Sequence, residues 1–409
     1  MGPAVPTTPT ERILTLDIIR GFALLGILVV NMSSFSGVTV FDEPTALWDQ
    51  AAYFIVDVLF SGKFNSLFSM LFAVGFAIQL ERLEQLAGSE GRRIYVRRLL
   101  VLFAIGIAHA ILVWSGDVLH MYALLGFVLL LLRNVSDRTL LVLVAVLLLY
   151  PGLRSLALVL FAGPDWTATR LALGREYIAA ANAAFGSGGY VDAVMENWQL
   201  LRRTYLTWMG LERMLSLGYV TFLVTMLLGL LAGRHRWIQR AAAHVAVVRR
   251  VQWWALGIGV AAGVALAIAN RFMEPATPSL WAILGRTSYS VSRVALMIFY
   301  VATIVRLAQS PRWLPWLMPL AAAGRMPLTN YLLQSVLCTA IFYAWGLGLW
   351  RQMGEALQLG LAFAIFFGLQ VPLSIFWFRR FAYGPLEYLW RLASYGQSPS
   401  ATVAPQSAP

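Results

Sequence analysis

From residue 13 to residue 378 the chain is a succession of apolar runs separated by short connections in which arginines concentrate. A run of about twenty apolar residues is the length needed to cross a hydrocarbon core of roughly 30 Å. Inside lipid every backbone polar group must be satisfied within the segment, so such runs can only be helices. The chain is 59% hydrophobic and only 12% charged, against roughly 25% charged residues in soluble proteins. The expectation is an all-α, polytopic membrane protein of about ten transmembrane helices. Their places are near 13–35, 62–81, 99–115, 119–133, 139–161, 214–233, 252–270, 288–306, 326–346 and 357–378. The segments at 99–115 and 119–133 are short and could form a tight pair dipping from one face.

The arginines set the orientation. Arg82, Arg92, Arg93, Arg97 and Arg98 fall in one connection, and Arg234, Arg236, Arg240, Arg249 and Arg250 in another that has no acid. Arg306, Arg312 and Arg325 mark a third, and Arg379, Arg380 and Arg391 follow the last run. Residues 36–62 instead carry Asp42, Glu43, Asp49 and Asp57 with no arginine or lysine. Basic loops stay on the cytoplasmic side, which predicts cytoplasmic N and C termini, with the 36–62 and 162–212 loops outside. The net charge of +12 is thereby accounted for by topology, and no nucleic-acid partner is expected. The partners expected from this reading are the lipid bilayer and, left open, a homodimer.

The N-terminal MGPAVPTTPT has no basic region of a cleavable signal, and Pro6 occupies the Ser/Thr position a myristoylation motif needs. The ends, 1–10 and 392–409, are rich in Pro, Ser, Thr and Ala and are expected to be disordered tails around a single domain, 11–391. The 162–212 loop has apolar positions at helical spacing with Trp198, Tyr205 and Trp208, and reads as interfacial helices or as a cap on a cavity mouth. The single cysteine, Cys338, reads as a buried core thiol. GIGVAAG at 257–263 mimics a phosphate loop but lies inside an apolar run, where small residues serve close helix packing. No metal-ligand motif is present.

The first run, RILTLDIIRGFALLGILVVNMSS, carries Asp17, Arg20 and Asn31. At about 100° per residue these lie on one stripe, Asn31 about 16 Å along the axis from Arg20. Intramembrane polar groups face a bundle interior or a wet cavity. In WSGDVLHMYALLG a helical start places the Asp117 carboxylate beside the imidazole of His120. An acid that orients a histidine prepares it as a general base; the alternative is an interfacial cap. His109, in AIGIAHAILVW, reads equally as helix glue or as a functional group, and His235 and His244 as solvated. Lys63 and Asn65 stand where the second run begins. Arg325, Thr329, Asn330 and Gln334 open the ninth, with Asn330 and Gln334 on one face. That face could hold phosphates or bond a neighbouring helix.

The opening L-D-x-x-R-G-x-A-L-x-G-I-x-x-V-N-M resembles the start of the YeiB-like family of bacterial membrane proteins, and so do GDVLHMYALLGFVLLLLR, GRMPLTNYLLQS and YGPLEYLWR, in order along nearly the whole chain. That family is similar to a branch of the transmembrane acyltransferases, among them the lysosomal heparan-glucosaminide N-acetyltransferase and the acyltransferase-3 proteins. Asp17, Arg20 and Gly21 match the shared first-helix motif. Asn31 stands where the acyltransferase-3 branch has a histidine and the glucosaminide branch an asparagine. The histidine that the glucosaminide branch has in the loop after its first span has no counterpart in 36–62. The resemblance then implies His120 in that role, or a different chemistry.

It also implies a bacterial inner-membrane acyltransferase, with acyl-CoA, acetyl-CoA first, as the donor from the cytoplasm and a hydroxyl or amine acceptor at the outer face. On that reading Asp17, Arg20, Arg325, Asn330 and Gln334 hold the donor. His120 with Asp117 is the base, and Asn31 or Asn65 stabilises the oxyanion. The alternative is a transporter or channel for a small polar or anionic solute, its path lined by the same stripe. A non-catalytic membrane scaffold is a third reading.

Overall fold

The computed structural model describes residues 13–38, 44–214, 219–274 and 276–396. The expected tails at 1–10 and from 397 onward, and the stretch with Asp42 and Glu43, lie outside the described residues. These residues are helical with no β-strand among them. The first helix, α1 (Leu14–Ser36), is closed by Gly37. After it, α2 (Leu47–Ile55) continues through a π-helical turn, Val56–Phe60, to a break at Ser61 and Gly62. The long α3 (Lys63–Leu112) leads by a tight turn into α4 (Leu119–Leu132), then α5 (Asp137–Phe161). Three helices follow, α6 (Trp166–Gly186), α7 (Tyr190–Leu206) and α8 (Trp208–Arg213), in the loop read as interfacial. The second half holds α9 (Tyr219–Arg234), α10 (Val245–Asn270), α11 (Leu280–Ala308), α12 (Leu314–Gly324) and α13 (Pro327–Phe342). It ends with α14 (Glu355–Phe363), α15 (Val371–Trp377) and α16 (Pro385–Tyr395).

Six helical stretches among the described residues are long and apolar enough to cross a membrane: Leu14–Ser36, Leu47–Leu112, Asp137–Phe161, Ala241–Asn270, Leu280–Ala308 and Glu355–Trp377. The shorter α4, α9 and α12 are also apolar. Large apolar side chains point outward along α2, α5 and α10, with Leu47 78%, Phe161 83% and Trp254 68% exposed. In water such surfaces aggregate; against lipid tails they are at rest. This is a multi-pass membrane protein.

Association inside lipid has no hydrophobic driving force, so it rests on close packing and polar contacts. At the centre α1 lies against α3, α12, α13 and α14. A β-carbon on Gly21 would strike the Leu320 carbonyl of α12, and one on Gly324 the Asp17 carbonyl of α1. Both glycines are therefore what lets these backbones meet. Gly259, in the sequence that mimics a phosphate loop, packs on Leu296 of α11 as expected of a small-residue contact.

Three features of the structure bear on the sequence reading. The runs at 62–81 and 99–115 belong to two helices that meet at a sharp kink at Gly88, at φ 53 and ψ −125, with the basic stretch on either side of it helical too. The 36–62 loop contains α2 and its π-helical turn. Residues 392–395, placed by the sequence reading in the C-terminal tail, belong to α16, which runs to Tyr395 and docks on α3 and α13.

Candidate functional site

The second half of α3 ends at Leu112, and the turn to α4 carries Asp117 between two histidines. His109 donates from Nδ1 to Asp117 Oδ1 at 2.8 Å. His120 donates from Nδ1 to Oδ2 at 2.7 Å, and its backbone N–H reaches the same oxygen at 3.0 Å. The three residues are 2–5% exposed. An ionised carboxylate can only accept, so the proton of each neutral ring sits on Nδ1 and each Nε2 is left basic.

The two Nε2 atoms have different surroundings. That of His120 meets the Tyr205 hydroxyl of α7 at 2.5 Å, and Tyr205 in turn meets the Tyr219 hydroxyl of α9. That of His109 is buried with no hydrogen-bond partner among the described residues. Sequence spacing put His120 forward, because Asp117 is three residues away. Of the two rings, the structure leaves His109 with the uncommitted basic nitrogen.

The turn itself is clamped from two helices. Asn197 of α7 accepts from the Ser115 N–H at 3.1 Å and donates to the Ile111 carbonyl at 3.2 Å. The Val118 N–H donates to the Tyr331 hydroxyl of α13 at 3.2 Å. Gly106 lets α3 approach the start of α4, where a β-carbon would strike the His120 backbone nitrogen.

A cavity of about 260 Å³ opens among α1, α3, α12, α13 and α16. Asp17, Arg20, Arg98, Arg325, Glu387 and Arg391 are among its polar lining residues. Arg20 donates to Asp17 at 2.8 Å. Arg325 lies over the Phe378 ring, 3.8 Å from its centre, and Arg391 over that of Tyr383 at 4.4 Å. Further in the walls are apolar, from Phe68, Leu71, Phe72 and Phe76, and Leu119, Tyr122 and Tyr331 also line the cavity. The ring centre of Tyr331 stands 5.6 Å from that of His109. Charged groups and apolar side chains thus line one cavity, and its Tyr331 stands beside His109 of the histidine pair.

The expected site residues divide accordingly. Asp17, Arg20 and Arg325 come together around the cavity, and Asp117 and His120 pair. Asn330 and Gln334 do not line it. Asn330 donates to the Ala323 carbonyl at 2.9 Å and to Ser374, and Gln334 to Gln370 at 2.9 Å and to the Leu24 carbonyl. They join α13 to α12, α15, a π-helical turn at Ala364–Gln370 and α1, away from the cavity where the other expected donor residues meet; a buried amide in a lipid-embedded bundle is held by its neighbours. Asn31 and Asn65 are half-buried and their amides have no hydrogen bond among the described residues. Phe35, one turn beyond Asn31, packs on Trp114 beside the turn that carries Asp117, with ring centres 4.2 Å apart. Tyr122 donates to the Asn65 carbonyl at 3.3 Å.

Sequence reasoning passed over Arg98 and the α16 residues. Arg98 is 3% exposed and stacks between Trp390 and Tyr395, its Nε without a partner among the described residues. Glu387 accepts from the Leu328 and Thr329 N–H groups and from the Thr329 hydroxyl at 2.6–3.1 Å, anchoring α16 to the start of α13. Burial pushes this carboxyl above the usual glutamate range despite those bonds. The segment YGPLEYLWR held the signal, but an aromatic helix after a last span reads first as an interfacial anchor.

Residues 232–397 match the family described as "Protein of unknown function (DUF418)". The chain is 33% identical to "Uncharacterized protein YxaH" of Bacillus subtilis (strain 168), over 97% of each chain. It is 30% identical to "Uncharacterized protein YeiB" of Escherichia coli (strain K12), over 93% of this chain and 96% of that one. A protein of Bacillus acidopullulyticus described as "Uncharacterized 39.9 kDa protein in amylase 3'region" is 26% identical over 96% of each. With relatives of this identity spanning almost the whole chain, together with the matched domain, the protein belongs to the YeiB-like family.

Proposed function

We propose that this protein is a membrane-embedded acyltransferase that moves an acyl group, acetyl first, from cytoplasmic acyl-CoA to an acceptor hydroxyl or amine at the outer side. In this reading the chain crosses the inner membrane of a bacterium about ten times, α4, α9 and α13 being short spans, with both termini in the cytoplasm. The observation that carries it is the Asp117 carboxylate holding two imidazoles behind the arginine-lined cavity.

The cavity mouth suits the donor. Guanidiniums of Arg20, Arg98, Arg325 and Arg391 are of the kind that hold phosphate oxygens by charge-assisted bonds. The apolar wall of Phe68, Leu71 and Phe72 would take the pantetheine arm and acyl chain. Movement of Tyr331 would bring the thioester to His109. There Nε2 takes the acceptor's proton, the acceptor oxygen or nitrogen attacks the thioester carbon, and the C–S bond breaks. The departing thiolate then takes the proton back from the imidazolium. Asn31 and Asn65 supply free amide donors for the developing oxyanion. His120, Tyr205 and Tyr219 form a line along which the pair exchanges protons with the outer side.

Calorimetric titration of the purified protein with acetyl-CoA and longer acyl-CoAs tests this. Micromolar binding that weakens by at least about tenfold in Arg20→Ala is expected. Absence of binding by every acyl-CoA would overturn the reading.

A second reading, a transporter or channel for a small anionic solute, draws on the break at Gly62. Lys63 and Arg293 beside it are 7% and 5% exposed. Lys63 donates to the Asp57 carbonyl at 2.7 Å, and Arg293 to Ser66 at 3.2 Å. Broken helices and buried charges are how transporters bind ions within the membrane. Anion uptake into proteoliposomes with no acyl donor present would favour it.

A further inference from the structure

A second cavity, of about 410 Å³, lies among α5, α6, α7 and the α10–α11 connection. On the topology proposed above it opens to the outer side. Arg154, Arg170, Arg203 and Arg286 all line it. Three of them have a carboxylate neighbour, Arg203 through one nitrogen. Arg154 and Arg170 share Glu212, and Arg203 reaches Glu196 at 3.3 Å while stacking on Tyr177. Glu274 stands exposed at the rim beside Thr277.

Arg286 differs. It is half-buried on α11 and has neither a carboxylate nor a hydrogen-bond partner among the described residues. Its electrostatic neighbour is the uncharged phenol of Tyr289. Withdrawing a guanidinium from water without a counter-charge is costly. An arginine kept so in a cavity wall, facing a space able to hold a small molecule, is a binding group awaiting its anion. Arg203 and Arg286 come from different helices, which suits a group with several acceptor oxygens, as a phosphate ester has.

The cavity also adjoins the relay. Arg203 and Thr204 of α7 line it, and the next residue, Tyr205, holds His120. We infer that this outer cavity is the acceptor site and that the acceptor carries a phosphate ester, bound by Arg286 and Arg203, beside the hydroxyl or amine that receives the acyl group. The inference rests on the acyl-transfer reading for the acceptor's role, though the ligand class follows from the cavity itself. A lipid headgroup and a soluble phosphorylated molecule share this chemistry.

The test uses the full-length protein in nanodiscs of neutral lipid, with glycerol phosphate as the soluble probe and a short-chain phosphatidylglycerol as the lipid probe. Binding and thermal shift are followed for wild type, Arg286→Gln, Arg286→Lys and Arg20→Gln. The expected result is saturable binding of at least one probe, weakened tenfold or more in Arg286→Gln, partly restored in Arg286→Lys and unchanged in Arg20→Gln. The probe that binds identifies the source. With no probe present, Arg286→Gln should melt no lower than wild type, because the side chain has no partner to lose. Equal affinity in Arg286→Gln, or no binding of either probe, overturns the inference. If acyl-CoA still binds in that case, the acyl-transfer reading stands without this acceptor. Phosphate binding at Arg286 with no acyl-CoA binding retains the ligand class but overturns the acceptor role together with the acyl-transfer reading.

Discussion

Asp117 settles what each histidine is free to do. Because it accepts from both Nδ1 atoms, the rings differ only in what meets their Nε2. His109 meets no partner there, and His120 meets Tyr205. A general base contributes about 10²–10⁴-fold to a rate. His109→Gln is therefore expected to lower acyl transfer at least about a hundredfold, measured with the natural donor, with little change in melting temperature. Tyr205→Phe, which removes only a proton path, should cost a few-fold; equal losses in the two variants would refute the division of labour. Spacing alone could find Asp117 and His120, three apart on one helix start. His109 lies eight residues before Asp117 across a helix end, and no periodicity connects positions across a turn.

At the scale of elements, α3 and α16 decide the shape of the cavity proposed for the donor. The kink of α3 depends on Gly88, whose positive φ costs a side-chain-bearing residue roughly 1–3 kcal/mol. Gly88→Ala should lower stability by about that amount in thermal denaturation; no loss would mean the kink is not required. Docking of α16 depends on Glu387. Its carboxyl is raised in the folded protein by burial, partly offset by hydrogen bonds from Thr329 and Leu328. A group with a raised folded-state pKa contributes fully below its unfolded value of about 4.3 and loses that contribution as pH rises through the folded value. Melting temperature should therefore fall as pH increases above about 4.3, and the slope should flatten in Glu387→Gln. The sequence placed the apolar runs well because period and length suffice for that. It could not show that the basic stretch between 62–81 and 99–115 is helical up to a kink at Gly88, since a single glycine in a polar stretch reads as an ordinary turn. Nor could it tell a binding face from packing at Asn330 and Gln334, because both uses put amides one turn apart.

For the whole molecule, orientation is the property on which both cavities depend. Cys338 is fully buried, so cysteines introduced elsewhere can be labelled selectively. In intact cells a membrane-impermeant thiol reagent should label Ser187→Cys, exposed between α6 and α7, and leave His244→Cys, exposed before α10, unlabelled until the cells are opened. The reverse pattern would invert the topology and exchange the faces of donor and acceptor. Arginine placement predicts an orientation from sequence, whereas nothing in the sequence predicts the cavities, since each is assembled from helices far apart in the chain.

The arginine-lined cavity has one wall from α1 and another from α16, helices far apart in the sequence. Its completion therefore waits on the synthesis and docking of α16. A nascent chain emerging from the ribosome can insert helix after helix and still present no such cleft. A chain cut short before α16, though it keeps every span, should insert without the cleft and leave Arg98 with neither Trp390 nor Tyr395 to stack against.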